Sequence, residues 1–206
     1  MADSVIQVHM WAPDGLDDDL RKELEAFCPV LDRAAQDVAY EWNVPDVKVT
    51  LHADPPGIAA WAGYCIELRS GAGPAGIHGY HDEWGCKVYL DTPGFDALTT
   101  AISHELFEWM VNPTGKRTVD ALSLEICDPV AVTPRLERLP REAGDYRYYH
   151  LSNFVYPAYF LDGPRPTFRG ARPLDYLGVL TKPGHPEPGA YQVVNGVPVA
   201  GPPLPK

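Results

Sequence analysis

The stretch "AISHELFEW", residues 101–109, sets His104, Glu105 and Glu108 in the pattern His-Glu-x-x-Glu. On a helix, positions four apart stand one turn above each other, so His104 and Glu108 would offer an imidazole and a carboxylate to one point. Glu105 would be turned about 100° from His104, which sets its carboxylate beside that point rather than on it. Zn2+ accepts imidazole nitrogen and carboxylate oxygen alike, and other divalent cations accept the carboxylates. An acid beside the ion that is not itself a ligand is what metal-assisted hydrolysis needs. It takes a proton from a water molecule that the ion acidifies.

Two ligands do not hold an ion, and a third must come from elsewhere. "LEICDP" provides Glu125 and Asp128, the first downstream carboxylates in a compact apolar setting, and both face one way if that segment is helical. Asp120, after "GKRTV", reads as exposed and is the weaker choice. The competing reading is a surface helix with Glu105 and Glu108 as solvated charges and His104 half-buried. Against it, Leu98, Ala101, Ile102, Leu106, Phe107, Trp109 and Met110 leave little room for a wet face. The metal site is the preferred reading.

Other residues offer chemistry with less support. His78 and His81 in "IHGYHDEW" fall on opposite sides of a strand and read as ordinary histidines near a turn. His52 and Asp54 read as a structural pair at a strand end. Tyr149 and His150 in "YRYYHLSN" are the residues placed to donate to a developing oxyanion, with aromatic core packing as the competing reading. Turn and cap hydrogen bonds account for Asn112, Ser152 and Asn153.

The elements that must position these groups follow from patterning. "SVIQVHMW" (4–11) reads as a strand, and residues 16–42 repeat apolar side chains every three or four positions, as an amphipathic helix does. "DVKVTLHA" (46–53), "WAGYCIELRS" (61–70), "IHGYHD" (77–82) and "CKVYLDT" (86–92) are further strands. The helix carrying His104 opens after Pro93-Gly94 and stops at Pro113. Beyond it regular patterning fades, and from Gly170 the chain is rich in Pro and Gly. The expected class is α+β: a mixed sheet covered by helices, over residues 1–169, with residues 170–206 as an extended arm that wraps the domain or touches a partner.

Composition narrows the partners. The 206 residues carry a formal charge of −11, which argues against a nucleic-acid partner. No apolar run reaches the roughly 20 residues of a membrane span, and the start of the chain has no secretory pattern, so a cytoplasmic or virion location is expected. Four scattered cysteines read as buried free thiols.

Taken in order, "ISHELFEWMVNP", "LEICDPV" and "LSNFVYPAYF" resemble a group of zincin-like metallopeptidases met in bacterial and tailed-phage genomes. Its members carry His-Glu-x-x-Glu with an Asn/Asp-Pro pair, then Glu-x-x-Asp, then a Ser-Asn step. The resemblance covers about residues 86–165, and the chain is more distantly similar to the gluzincins. It implies a zincin-like domain with His104, Glu108 and Glu125 as zinc ligands and Glu105 as base. Asp128 would hydrogen-bond His104 from behind the ion. The implied substrate is a peptide or protein, lying extended along an edge strand "KVYLD". Two carboxylate ligands offset the charge of a divalent ion and weaken it as an acidifier of water. The alternative function, which the acidic surface and the Pro-rich arm suit as well, is a virion or assembly protein that uses this scaffold for binding, with the metal structural or absent and self-association or virion contacts through the C-terminal arm.

Overall fold

The computed structural model describes residues 5–13, 15–52, 64–71, 73–74, 77–140, 146–160 and 173–204. β1 (Ile6–Trp11) buries Val8 and Met10 on one face. β2 (Val47–His52) runs parallel to it, with Val8 opposite Val49. Parallel neighbours need a long crossover, and α1 (Asp18–Trp42) is that crossover. Asp17 caps it by accepting hydrogen bonds from the backbone N–H of Asp19 and Leu20. This is why the helix begins two residues later than the apolar repeat. Leu24, Phe27, Leu31, Ala34 and Val38 form its buried face.

β3 (Tyr64–Arg69), β4 (Gly79–Asp82) and β5 (Gly85–Tyr89) complete a sheet of order β2-β1-β3-β5-β4. Every pairing is parallel except that of β4 with β5. This corrects one expectation. "KVYLD" lies mostly in β5, which is paired on both sides, so it is not an edge. The short turn before Gly85 folds β4 back along the side of β5 that β3 leaves open, and β4 becomes the edge strand.

α2 (Phe95–Val111) follows Gly94, whose φ of 84° suits glycine, and ends at Asn112 before Pro113. It packs on β4, β5 and α1, and on β9 (Tyr146–Leu151). β9 pairs with β8 (Arg135–Pro140), a strand that the fading pattern did not reveal. β6 (Thr118–Val119) and β7 (Leu122–Ser123) form a short hairpin after α2. β10 (Tyr191–Val194) and β11 (Val197–Ala200) extend it into a sheet of order β11-β10-β7-β6.

The Pro/Gly-rich end is thus more than an extended arm, because residues 173–204 contain a hairpin that docks on the same body. Leu174 and Leu180 enter the common core, and Glu187 accepts hydrogen bonds from Val132 N–H, Thr133 N–H and the Thr133 hydroxyl. The boundary expected at residues 169 and 170 lies outside the described residues. The architecture is α+β. All four cysteines are buried and free, and among the described residues no helix is long and apolar enough to cross a membrane.

Asp32 ties α1 to β2. It is buried, and its carboxylate accepts hydrogen bonds from Val49 N–H at 2.7 Å and from Lys48 Nζ. Asp32→Ala strands the Val49 N–H and is expected to cost about 1–3 kcal/mol of unfolding free energy in urea titrations. Lys48→Ala removes only an exposed partner and is expected to cost much less than Asp32→Ala.

Candidate metal centre

On α2 the helical spacing does what the pattern requires, and Glu108 Oε2 stands 3.3 Å from His104 Nε2. Asp128 Oδ1 stands 3.3 Å from the same nitrogen. Zinc bonds of about 2.0–2.2 Å in a tetrahedron place ligand atoms about 3.3–3.6 Å apart, and both spacings fall there. The other oxygen of Glu108, Oε1, accepts hydrogen bonds from Cys127 N–H (3.1 Å) and Asp128 N–H (3.3 Å). This carboxylate therefore grips the segment that delivers Asp128. Cys127 Sγ joins ligand atoms of His104 and Glu108 within 4.8 Å of one another.

A second half of the centre comes from β4. His81 Nε2 donates to the carbonyl of Asn112, at the end of α2, over 3.2 Å. Its Nδ1 lies 3.4 Å from Glu105 Oε2 and 3.8 Å from Glu108 Oε2. Glu125 completes this side, with Oε2 3.7 Å from His81 Nε2. Glu125 Oε1 is held by Asn112 Nδ2 (3.1 Å) and the Ser123 hydroxyl (3.0 Å). Gly79 makes room for Glu105, since a Cβ there would stand 2.8 Å from Glu105 Cγ.

Two cavities meet at this cluster. A cleft of about 580 Å³ has His104 and Glu105 in its lining, together with Asp96, Val132, His150 and Tyr191. A smaller one of about 300 Å³ reaches His81, Glu108, Glu125 and Asp128, and shares Gly79, His104, Glu105 and Tyr191 with the first. Tyr191, on β10, lines the smaller cavity together with Asp128.

Set against the sequence, His104, Glu105, Glu108, Glu125 and Asp128 all come together. Their arrangement differs from the one the resemblance implies. Asp128 meets the same ring nitrogen as Glu108 and not the far side of the ring, whereas Glu125 lies nearer His81. Glu125 and Asp128 converge without a shared α-helix, because Asp128 opens a 3-10 turn (Asp128–Val130). Tyr149 is a core ring, wholly buried against Phe27 and Phe95, so no substrate meets it. His150, the next residue, turns the other way to the cleft and pairs with Asp96 at 3.0 Å.

Two residues of the centre were missed. His81 was set aside as a turn histidine, while His78, its neighbour, is exposed at the cleft. Tyr191 lay in the stretch read as an arm. Asp120 is exposed, as expected. His52 bonds His9 across 2.9 Å, and Asp54 lies outside the described residues. Asn153 binds Asp175 and the N–H groups of Phe154 and Leu177, which is structural bonding of the kind expected.

Burial and charge act together here. Burial pushes the Glu108 carboxyl up to about 8, with Asp128 adding to the shift against the pull of His104. Glu125 is raised chiefly by burial. Burial alone would lower His81, but Glu105, Glu108 and Glu125 outweigh it and hold the ring up to about 9. His104 is likewise held above its ordinary value by Glu108 and Asp128, against desolvation. Asp128 Oδ1 and Glu125 Oε2 are enclosed yet accept no hydrogen bond. An enclosed oxygen in that state is one a cation would satisfy. Two imidazoles, four carboxylates and a nearby thiol suit a divalent ion such as Zn2+. His, Glu and Cys side chains are positioned to hold a metal ion. Comparison with family models, with curated proteins and with solved structures yields no match.

Without an ion the centre favours its protons. Glu108 and His81 hold them more tightly folded, near 8 and 9, than at their ordinary values of 4.5 and 6.5. The stability they contribute is full below those ordinary values and is lost as pH rises through 8 and 9. Chelator-stripped protein is therefore expected to show a falling Tm between pH 6.5 and pH 9. Added Zn2+, which replaces the protons, is expected to raise Tm more at pH 9 than at pH 6.5.

Proposed function

We propose that this chain is a metal-dependent hydrolase, a zincin-like peptidase whose ion is held by His104, Glu108 and Asp128. The observation that carries the reading is the pair of carboxylate oxygens at 3.3 Å from His104 Nε2, in the lining of the smaller cavity, which Glu105 and His104 share with the wider cleft. Zn2+ is preferred over harder ions because imidazole nitrogen, and a thiol within reach, suit a borderline-soft cation.

A bound divalent ion would supply Lewis acidity at the cleft floor. Glu105 acts as general base there, taking the proton of the attacking water and passing it to the departing amine. Its carboxylate is kept in place by His81 on one side and the bare Cα of Gly79 on the other. Tyr191, at the shared wall of both cavities, takes the role of donor to the oxyanion. His150 lines the wider cleft and is the second donor on offer. The β4 edge gives a peptide an unpaired backbone to lie against, and Gly79 at its start opens on both cavities.

Two tests follow. Purified protein is expected to carry metal and to cleave members of a peptide library, with cleavage stopped by a chelator. Glu105→Gln is expected to keep the ion at His104 and lose about 100-fold or more in turnover. Unchanged turnover in that variant would remove Glu105 from the reaction, and metal with no turnover on any peptide would favour a binding role. Tyr191→Phe is expected to retain metal and lower kcat by about 10- to 1000-fold, a loss that Tyr149→Phe should not reproduce.

A further inference from the structure

We propose that the centre holds two divalent ions, the second bound by His81, Glu105 and Glu108, with the Glu108 carboxylate shared between both. This rests on the ion at His104 invoked above, but on nothing assumed about substrate.

Geometry is the first support. Ligand atoms of His81, Glu105 and Glu108 lie within 4.8 Å of one another, as do those of His104, Glu108 and Cys127, and Glu108 belongs to both groups. Bonds of about 2.0–2.2 Å place ligand atoms about 3–4 Å apart over the usual angles. The 3.4 Å and 3.8 Å separations about His81 Nδ1 fall in that range.

The second support is the direction of one proton. A carbonyl oxygen only accepts hydrogen bonds, so the contact with Asn112 puts the proton of a neutral His81 ring on Nε2. Nδ1 then turns a bare lone pair toward the oxygens of Glu105 and Glu108, in a buried pocket. Acceptor facing acceptors is unfavourable, so either a second proton on the ring, donated to Glu105, or a cation must lie between them, and an ion takes the place of that proton. A ring fixed from behind by a backbone carbonyl, with its other nitrogen aimed into a carboxylate cluster, is how proteins present a ligand histidine.

The third support is charge and unmet valence on each side. Asp128 Oδ1 is orphaned beside His104, on a side chain only 4% exposed, and Glu125 Oε2 is orphaned beside His81. Four carboxylates gather around two imidazoles, and one divalent ion offsets only half of their charge. A second ion balances the cluster. In the doubly loaded state one oxygen of Glu105, Oε2, would face the second ion and the other would be left to take the proton, so loss of its carboxylate weakens binding as well as turnover.

The experiment is a titration of chelator-stripped protein with Co2+, followed by calorimetry and visible absorption, with Mn2+ loading for electron paramagnetic resonance. Wild type is expected to take up two equivalents per chain and to show a spin-coupled Mn2+ pair. His81→Asn and Glu105→Gln are each expected to weaken the second equivalent by at least about tenfold, leaving the first in place and Mn2+ uncoupled. One equivalent in wild type, undisturbed by either variant, overturns the second ion and leaves the hydrolase reading standing. Two equivalents that both variants keep unweakened overturn the ligand assignment. No uptake by wild type overturns both readings. Should His81→Asn fail to fold, the wild-type stoichiometry and spin coupling decide the matter.

Discussion

The Glu108 carboxylate is the constraint on which the rest of the centre depends. One oxygen accepts the N–H groups of Cys127 and Asp128, and the other faces His104 and His81. It is therefore both the clamp that brings residues 127 and 128 onto α2 and a member of the cluster it assembles. Neither role suits an exposed side chain. A hydrogen bond to a charged acceptor gains strength when water is excluded, and a clamp that could rotate would not fix Asp128. The apolar neighbours of Glu108 on α2, notably Leu106, Phe107, Trp109 and Val111, hold the helix in the core, and the carboxylate meets only the small cavity beside it.

Such burial has a cost that falls on the fold. Desolvating several acids together is unfavourable: the raised proton affinities of Glu108 and Glu125 express that cost, and the acids in turn hold the protons of His104 and His81 against desolvation. The parallel sheet and two helices supply the offsetting burial in a core that runs from Val8 and Phe27 through Ile102 to Phe154. Asn112 concentrates several connections in one residue. It ends α2, binds Glu125 and Ser123 through its side-chain amide, and orients His81 through its carbonyl. Turn chemistry and site chemistry are the same hydrogen bonds there.

What could be read from the sequence was whatever one element settles by itself. Helical periodicity places α1 and α2, and within α2 it places His104, Glu105 and Glu108 relative to one another without any tertiary information. Glu125 and Asp128 were recognisable as acids in an apolar setting, but the nitrogen each approaches is decided by the clamp and by Asn112. His81 shows the limit of strand alternation. Period two separates His78 from His81 but does not say which side of the strand will meet a helix that follows later in the chain. Tyr149 and His150 show the same limit, since adjacent strand residues must diverge and only the sheet's packing decides which one is buried. Tyr191 was out of reach because its neighbours are rich in Pro and Gly, and only pairing of β10 with β7 sets its position.

That pairing has a consequence for the order of assembly during synthesis. The histidines and acids of the cluster lie between residues 81 and 128, and a growing chain exposes them well before it reaches residue 191. Until β10 seats on β7, the pocket lacks the wall that Tyr191 provides, and Glu187 has not yet bound Val132 and Thr133. The residues that the proposed ion needs and the strand that completes the cleft are therefore made at separate times, joined by a late, long-range contact of the slow kind. Under the proposed reading, hydrolytic power stays latent until the last strands close.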